Sequence, residues 1–212
     1  VPYKRTDARA EAEQALVQSA RQEVILEAVQ LLALRAREAK LQLVFGGHPS
    51  IAAALLPVAQ TCWREGWPWL LFFQHVYFKH RQEELARALS LFSGVQLIWV
   101  SGEAEALECR PGAREEQALR EVMLKLPGLA AGVFVGGLTG VKREYELTGT
   151  RRPELQRYTF GCGGGMAAKL LLEDPSNARG QLEDSGPLWS DAASAVKAVM
   201  TCLLYTSDAA DE

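Results

Sequence analysis

Leu43-Val44-Phe45-Gly46-Gly47-His48-Pro49-Ser50-Ile51 is the stretch whose reading decides the fold. An apolar run ends in two glycines, a polar turn follows, and Ile51-Ala52-Ala53-Ala54-Leu55-Leu56 then opens a helical pattern. The order is strand, tight turn, helix N-terminus. Amides at such a turn have no intrahelical partners and, with the helix dipole, favour an anion such as a phosphate. A second pair, in Val135-Gly136-Gly137-Leu138-Thr139-Gly140, follows another apolar run. Two such loops in one sheet can hold one nucleotide between them.

Working outward, residues 50–65 read as a helix closed by Gly66, a good residue for the position after a helix end. Residues 67–73 form a short aromatic run bounded by Gly66 and by Gln74 and His75, the pattern of a buried strand rather than a membrane span. Residues 81–93, with Leu85, Leu89 and Phe92 on one face, predict a helix closed by Gly94, and residues 95–100 a strand. The Glu-, Gly- and Pro-rich segment 101–112 predicts an exposed loop. A helix over 115–125 would turn Leu119, Val122, Met123 and Leu126 inward. A strand over 129–135, a helix beginning at 141–147, a strand over 155–160, the turn Gly161-Cys162-Gly163-Gly164-Gly165 and a helix over 166–172 follow.

Upstream, Leu16, Ala20, Val24, Ala28 and Leu32 recur every four residues between Asp7, a plausible N-cap, and Lys40. This predicts one long amphipathic helix, or two with a break near the middle. Strands alternating with helices at these lengths imply βαβ units, right-handed crossovers and a mostly parallel sheet, with ligands at the carboxyl ends of its strands. No internal repeat is found.

The net charge of −3 and the lack of a Lys/Arg block give no reason to expect nucleic-acid binding. Cys62, Cys109, Cys162 and Cys202 form no C-x-x-C pair, so neither a zinc site nor a disulfide framework is expected, and a reduced, cytoplasmic setting is the default. His75 and His80 are five residues apart, a poor spacing for shared ligation, and no metal is assigned. The start at Val1 suggests a fragment or a processed chain. Residues 174–190 read as a flexible linker, 192–204 as a weak helix, and the ending from Cys202 resembles translated adapter sequence, to be set aside in functional reasoning. The expected organisation is a domain over 1–173, then a linker and non-native tail over 174–212.

Phe45-Gly46-Gly47-His48-Pro49-Ser50-Ile51, Leu119-Arg120-Glu121-Val122-Met123, Phe134 to Leu147 with its Gly136-Gly137-Leu138-Thr139-Gly140 core, and Gly163-Gly164-Gly165 together resemble a SLOG domain from about residue 41 to about 172. That superfamily groups Rossmann-like nucleotide-binding domains related to the Lonely Guy phosphoribohydrolases. The resemblance implies an α/β, three-layer Rossmann-like fold with a mostly parallel sheet. It is nearest to a bacterial branch associated with sensing or processing nucleotide-derived ligands in defence systems. Two departures stand out. The strand that usually opens the family is absent, and the phosphoribohydrolase motif P-G-G-x-G-T-x-x-E has Val135 for its proline and needs a one-residue insertion to align Gly140 and Glu144.

On this reading the nucleotide would contact Gly46, Gly47, His48, Ser50, Gln74, Gly136, Gly137, Thr139 and Gly140. For the glycines, the plain alternative is a turn that needs positive φ or close backbone approach. Ser50 either caps the helix or donates to phosphate, and Thr139 likewise. Gln74 reads a base or ribose, or is simply a solvated strand end. Gly163 to Gly165 offer a third backbone contact or only a turn. Arg120 reads as an ordinary helix-surface arginine until the resemblance makes it a phosphate partner. Glu144, with Glu146 nearby, matches the glutamate that acts on ribose in the enzymes of the superfamily, against a plain role opposite the helix dipole.

The favoured expectation is a sensor of a nucleotide or NAD-derived, ADP-ribose-like signal, needing no cofactor and coupled to an effector domain or a homo-oligomer. The alternative is a phosphoribohydrolase cleaving the N-glycosidic bond of a nucleoside monophosphate, with Glu144 and Arg120 catalytic.

Overall fold

The computed structural model describes residues 7–46, 48–61, 66–105, 111–174 and 191–208. Gly47, Cys62, Cys109, most of the expected linker and part of the 101–112 loop lie outside these residues. The chain divides into two compact units, one of residues 32–129 and one of residues 1–31 with 130–212.

The helical stripe of residues 7–40 folds as α1 (Asp7–Ser19) and α2 (Gln22–Glu38), broken at Ala20 and Arg21. The stripe's second half does the burying: Ala28, Val29, Leu32, Ala33 and Ala36 are all in the core. Lys40 closes α2 in the left-handed region at φ 57°, with the Leu41 amide donating to Ala36 O at 2.8 Å.

In the unit of residues 32–129, β1 (Leu43–Gly46), β2 (Leu70–His75) and β3 (Val95–Val100) pair in that order, all parallel. The strand expected over 67–73 is shifted, for a backbone reason. Pro68 has no amide to give, so pairing starts with the Trp69 and Leu70 amides, which both donate to Gly94 O. The strand then runs on through Gln74 and His75. One face of the sheet carries Leu71 and Phe73, packed with Val100 on Leu119 of α5 (Ala113–Leu124). The other carries Leu70 and Phe72, the latter stacked on Phe45 at 5.7 Å. α3 (Pro49–Thr61) and α4 (Lys79–Ser90) pack together, and α4 also on β3. Met123 and Leu126 turn inward as expected, but Val122 is 36% exposed because it lies off the stripe set by Leu119 and Met123.

In the other unit, β4 (Ala131–Val135) and β5 (Gln156–Phe160) form a two-stranded parallel sheet. Phe134 packs with Tyr145 of α6 (Thr139–Arg151) and with Met166 and Leu170 of α7 (Gly165–Glu173). α8 (Ala192–Asp208) is longer than the weak helix expected, and it buries Ala195, Val196, Val199 and Met200 in the unit's core.

The fold is Rossmann-like α/β, with every described strand pair parallel. The single sheet expected from the sequence is instead two sheets, of three and two strands, among the described residues. The chain from Asp7 to Glu38 is helical apart from its break, so no described strand precedes β1 to continue the pairing. No helix among the described residues is long and apolar enough to cross a membrane.

Candidate functional site

The first glycine turn belongs to the unit of residues 32–129. Gly46 closes β1, and its carbonyl accepts from the His48 amide at 2.7 Å. The His48 carbonyl then accepts the Ala52 amide at 3.0 Å, which makes His48, not Ser50, the residue that caps α3. Pro49 is the first helical residue, where its missing amide costs nothing. Ser50 is therefore inside the helix, and its side chain lies outside what the structure describes. His48 is exposed.

α5 lies against this turn. A β-carbon on Gly46 would sit 3.1 Å from Met123 Sδ and 3.7 Å from Leu119 Cδ2. On the same helix Arg120 is not the solvated arginine that amphipathic spacing suggests. Its side chain is only 10% exposed, and its Nη2 donates to Glu116 Oε2 at 3.4 Å. A nearly buried guanidinium paired with a half-buried carboxylate is expensive to maintain. It is also the kind of preset cation that receives an anionic group.

Gln74 is 1% exposed, so the reading as a solvated strand end is overturned. Its Oε1 accepts from the His75 amide at 2.9 Å. His75, 3% exposed, is engaged at both ring nitrogens. Its Nδ1 accepts the Tyr77 amide at 3.1 Å, and its Nε2 lies 2.6 Å from Gly102 O.

The second glycine turn lies in the other unit, and its surroundings are full. Gly136 (φ 57°) and Gly137 (φ 75°) are both left-handed. Their carbonyls receive the first amides of α7, Ala167 onto Gly136 O at 3.0 Å and Met166 onto Gly137 O at 2.8 Å. The Gly165 amide donates to Ser19 Oγ at 3.3 Å. The Gly164 amide donates to Gly161 O at 2.9 Å, so two of the amides that the Gly163–Gly165 turn could have offered to an anion are taken by the protein itself. Gly164 has no room for a side chain, since a β-carbon there would fall 1.9 Å from Ser19 O. Ile25 fills the space beside Gly136 and Gly163. The Arg21 amide donates to Gly163 O at 2.9 Å and its Nε to Cys162 O at 3.1 Å. Burial pushes the Cys162 thiol upward, with Arg21 opposing.

What remains open in this turn is the start of α6. The residue preceding it is Leu138, which has no capping side chain and is 38% exposed; Thr139 is the first helical residue rather than the cap. Glu144 is exposed in the second turn of α6, beyond the first-turn reach of the helix dipole. Glu146 faces Lys142 at 3.8 Å.

The predicted residues therefore divide between the units. Gly46, His48, Gln74 and Arg120 fall in one, and Gly136, Gly137, Thr139, Gly140 and Glu144 in the other. Sequence reasoning did not find Ser19 and Ile25 as the partners of the glycine turns, because nothing local to residues 19–25 refers to a turn more than a hundred residues away. Among the described residues, no group of histidine, cysteine and carboxylate side chains could hold a metal ion.

No curated protein and no solved structure matches this chain. The model of the SLOG cluster3 family, in contrast, matches residues 15–185, from within α1 through both sheets and past the end of α7. Glycine-ended parallel strands and this match lead to one assignment: the chain belongs to the SLOG cluster3 family.

Proposed function

We propose that this chain is a nucleotide-binding sensor module whose ligand is a nucleotide or an NAD-derived, ADP-ribose-like molecule, with a role in bacterial defence signalling. Membership of the SLOG family supports a nucleotide-related function in general. The observation that carries the finer reading is Arg120, a guanidinium held at 10% exposure on the helix that packs against Gly46 at the end of β1. In this reading the Gly46–His48 turn and Arg120 receive phosphate, and the uncapped start of α6 at Thr139 and Gly140 is a second anion-seeking terminus. No cofactor is needed for recognition of this kind. Coupling would run to an effector domain or to a second copy of the chain.

Calorimetry with AMP, ADP-ribose and cyclic ADP-ribose tests the proposal. At least one should bind, and Arg120→Gln should weaken it by about tenfold or more, the scale of a lost charge-assisted contact, while melting stays cooperative. Absence of binding by all three rejects the reading. Release of free adenine from AMP, abolished in Glu144→Gln, would replace the sensor with the phosphoribohydrolase alternative.

A further inference from the structure

The break between α1 and α2 is seated more firmly than a change of helix direction requires. The Arg21 amide donates to Gly163 O at 2.9 Å, the Gly165 amide donates to Ser19 Oγ at 3.3 Å, and Ser19 Oγ donates to Leu16 O at 3.0 Å. Gly164 is without a side chain where Ser19 O would lie 1.9 Å from a β-carbon, and Ile25 fills the space that a β-carbon on Gly136 or Gly163 would need. A β-carbon on Gly163 would also come within 3.9 Å of Gly136 N. Ala20 and Arg21, the residues between the helices, are thus fixed over the turn that leaves β5, with the turn that leaves β4 beside it. The two strands are parallel, so their carboxyl ends meet here, and this is the end of an α/β sheet at which ligands bind.

The side chain of Arg21 is what this seating holds in place. Its Nε donates to Cys162 O at 3.1 Å, so its backbone and its side chain are anchored on successive residues of one turn. A guanidinium pinned through Nε keeps its two terminal nitrogens at the other end of the fork. Arg35, Arg87, Arg114, Arg120, Arg152 and Arg157 each face a carboxylate at 2.5–3.7 Å. Arg21 is held by carbonyls instead and makes no ion pair among the described residues. Asp191, whose charge also reaches the Cys162 thiol, has its two carboxylate oxygens accepting from the amide and the hydroxyl of Ser194. Carbonyl dipoles orient a guanidinium without cancelling its charge, and the residue is exposed, so that charge faces solvent. An ordinary surface arginine must give up rotamer freedom to grip an oxyanion; this one has given it up already on folding.

We infer that Arg21 is a phosphate-binding residue, its two terminal nitrogens gripping two oxygens of a phosphate group at the carboxyl ends of β4 and β5. The inference rests on the nucleotide-binding reading above and extends it, since it names the side chain that meets phosphate in the unit of residues 1–31 and 130–212. The planar fork matches a phosphate with two parallel charge-assisted hydrogen bonds, which an ammonium group cannot reproduce. It also gives the helix break a purpose: Gly163, Gly164 and Gly165 let the α1–α2 junction come close enough for Nε to reach Cys162 O.

Calorimetry on the full chain with ADP-ribose and with pyrophosphate tests the role. Arg21→Gln should weaken ADP-ribose by about tenfold or more, and Arg21→Lys, which keeps the charge and loses the fork, should weaken it less. A matching loss with pyrophosphate would show that the fork takes phosphate from any source, and a loss with ADP-ribose alone that it takes phosphate only as part of a nucleotide. Both variants keep the backbone bond to Gly163 and should melt cooperatively. The wild type supplies a readout that needs no variant: phenylglyoxal should label Arg21, and ADP-ribose should protect it, as read by peptide mass mapping. Equal ADP-ribose affinity in wild type and Arg21→Gln, or labelling of Arg21 that saturating ADP-ribose leaves unchanged, overturns the role while leaving nucleotide binding intact. Pyrophosphate binding that Arg21→Gln abolishes, in a chain that binds no nucleotide, keeps the fork and rejects the nucleotide reading. Failure of the wild type to bind either ligand removes both.

Discussion

Gly46 and Gly136 each follow an apolar parallel strand, yet a methyl group added to Gly46 would meet the movable sulfur of Met123 at 3.1 Å, whereas one added to Gly136 would lie 2.2 Å from Ile25 Cδ1. Gly136 and Gly137 are left-handed, and Gly46 is not. The second turn also has its carbonyls engaged by α7, while the first passes its hydrogen bonds along the chain from Gly46 to His48 and into α3. The same pair of letters therefore performs two tasks. In one unit glycine makes room for the protein's own backbone and side chains, and in the other it ends a strand against Leu119 and Met123 of the helix that also carries Arg120.

The largest effect should come where the first of these tasks is most demanding. Gly164 has φ 68° and ψ −153°, a region open essentially to glycine alone, with Ser19 O 1.9 Å from any β-carbon. Gly164→Ala must displace backbone rather than a side chain, and a loss on the order of 4 kcal/mol is expected by urea titration. A variant of wild-type stability would show that the α1–α2 junction does not seat on this turn.

Gly136→Ala should cost less, on the order of 2–3 kcal/mol, because its obstacle is the far end of Ile25 and part of the penalty is the positive φ itself. The two parts separate in a double-mutant cycle with Ile25→Ala. Coupling of about 1 kcal/mol would assign that share to the side chain, and additivity would assign the whole cost to the backbone.

The unit that carries the second turn should also be the alkali-sensitive one. Tyr158 is fully buried on β5, and its hydroxyl donates to Gln156 Oε1. Burial first, with Cys202 adding, pushes its pKa up to about 12. A phenol whose folded value is raised stabilises the fold fully below the ordinary value near 10, and the contribution is lost as pH rises through about 12. A shift of this size corresponds to about 3 kcal/mol, and Tyr158→Phe should flatten the alkaline limb of a pH–stability profile. An unchanged limb would mean the hydroxyl ionises as easily folded as unfolded.

These contrasts also mark what the chain discloses by itself. Every described strand was legible from apolar runs and glycine stops, because those signals are local; β1 and β4 start two residues later than expected, and β2 moved furthest, through the missing amide of Pro68. The break in the first helix was legible as a possibility, but its purpose was not. Ser19, Arg21 and Ile25 gain meaning only against Gly136 and Gly163–Gly165, contacts separated by more than a hundred residues. Arg120 looked like surface because helical periodicity reports which side faces the core and not how deeply a flanking residue is covered.

The smallest effect is the most informative about function. Gly46→Ala places a methyl group against Met123 Sδ, the adaptable end of a thioether, at a residue outside the left-handed region. The loss in stability should stay below about 1 kcal/mol, partly offset by the reduced freedom of the unfolded chain. If the turn after β1 receives a phosphate through its backbone, the same methyl group should weaken AMP or ADP-ribose by about tenfold, because close approach of backbone to ligand is what the missing β-carbon permits. Weakened binding without weakened folding would set this glycine apart from Gly136 and Gly164. If Gly46→Ala binds as wild type does, the phosphate does not sit on this turn, and the uncapped start of α6 becomes the better place to look for it.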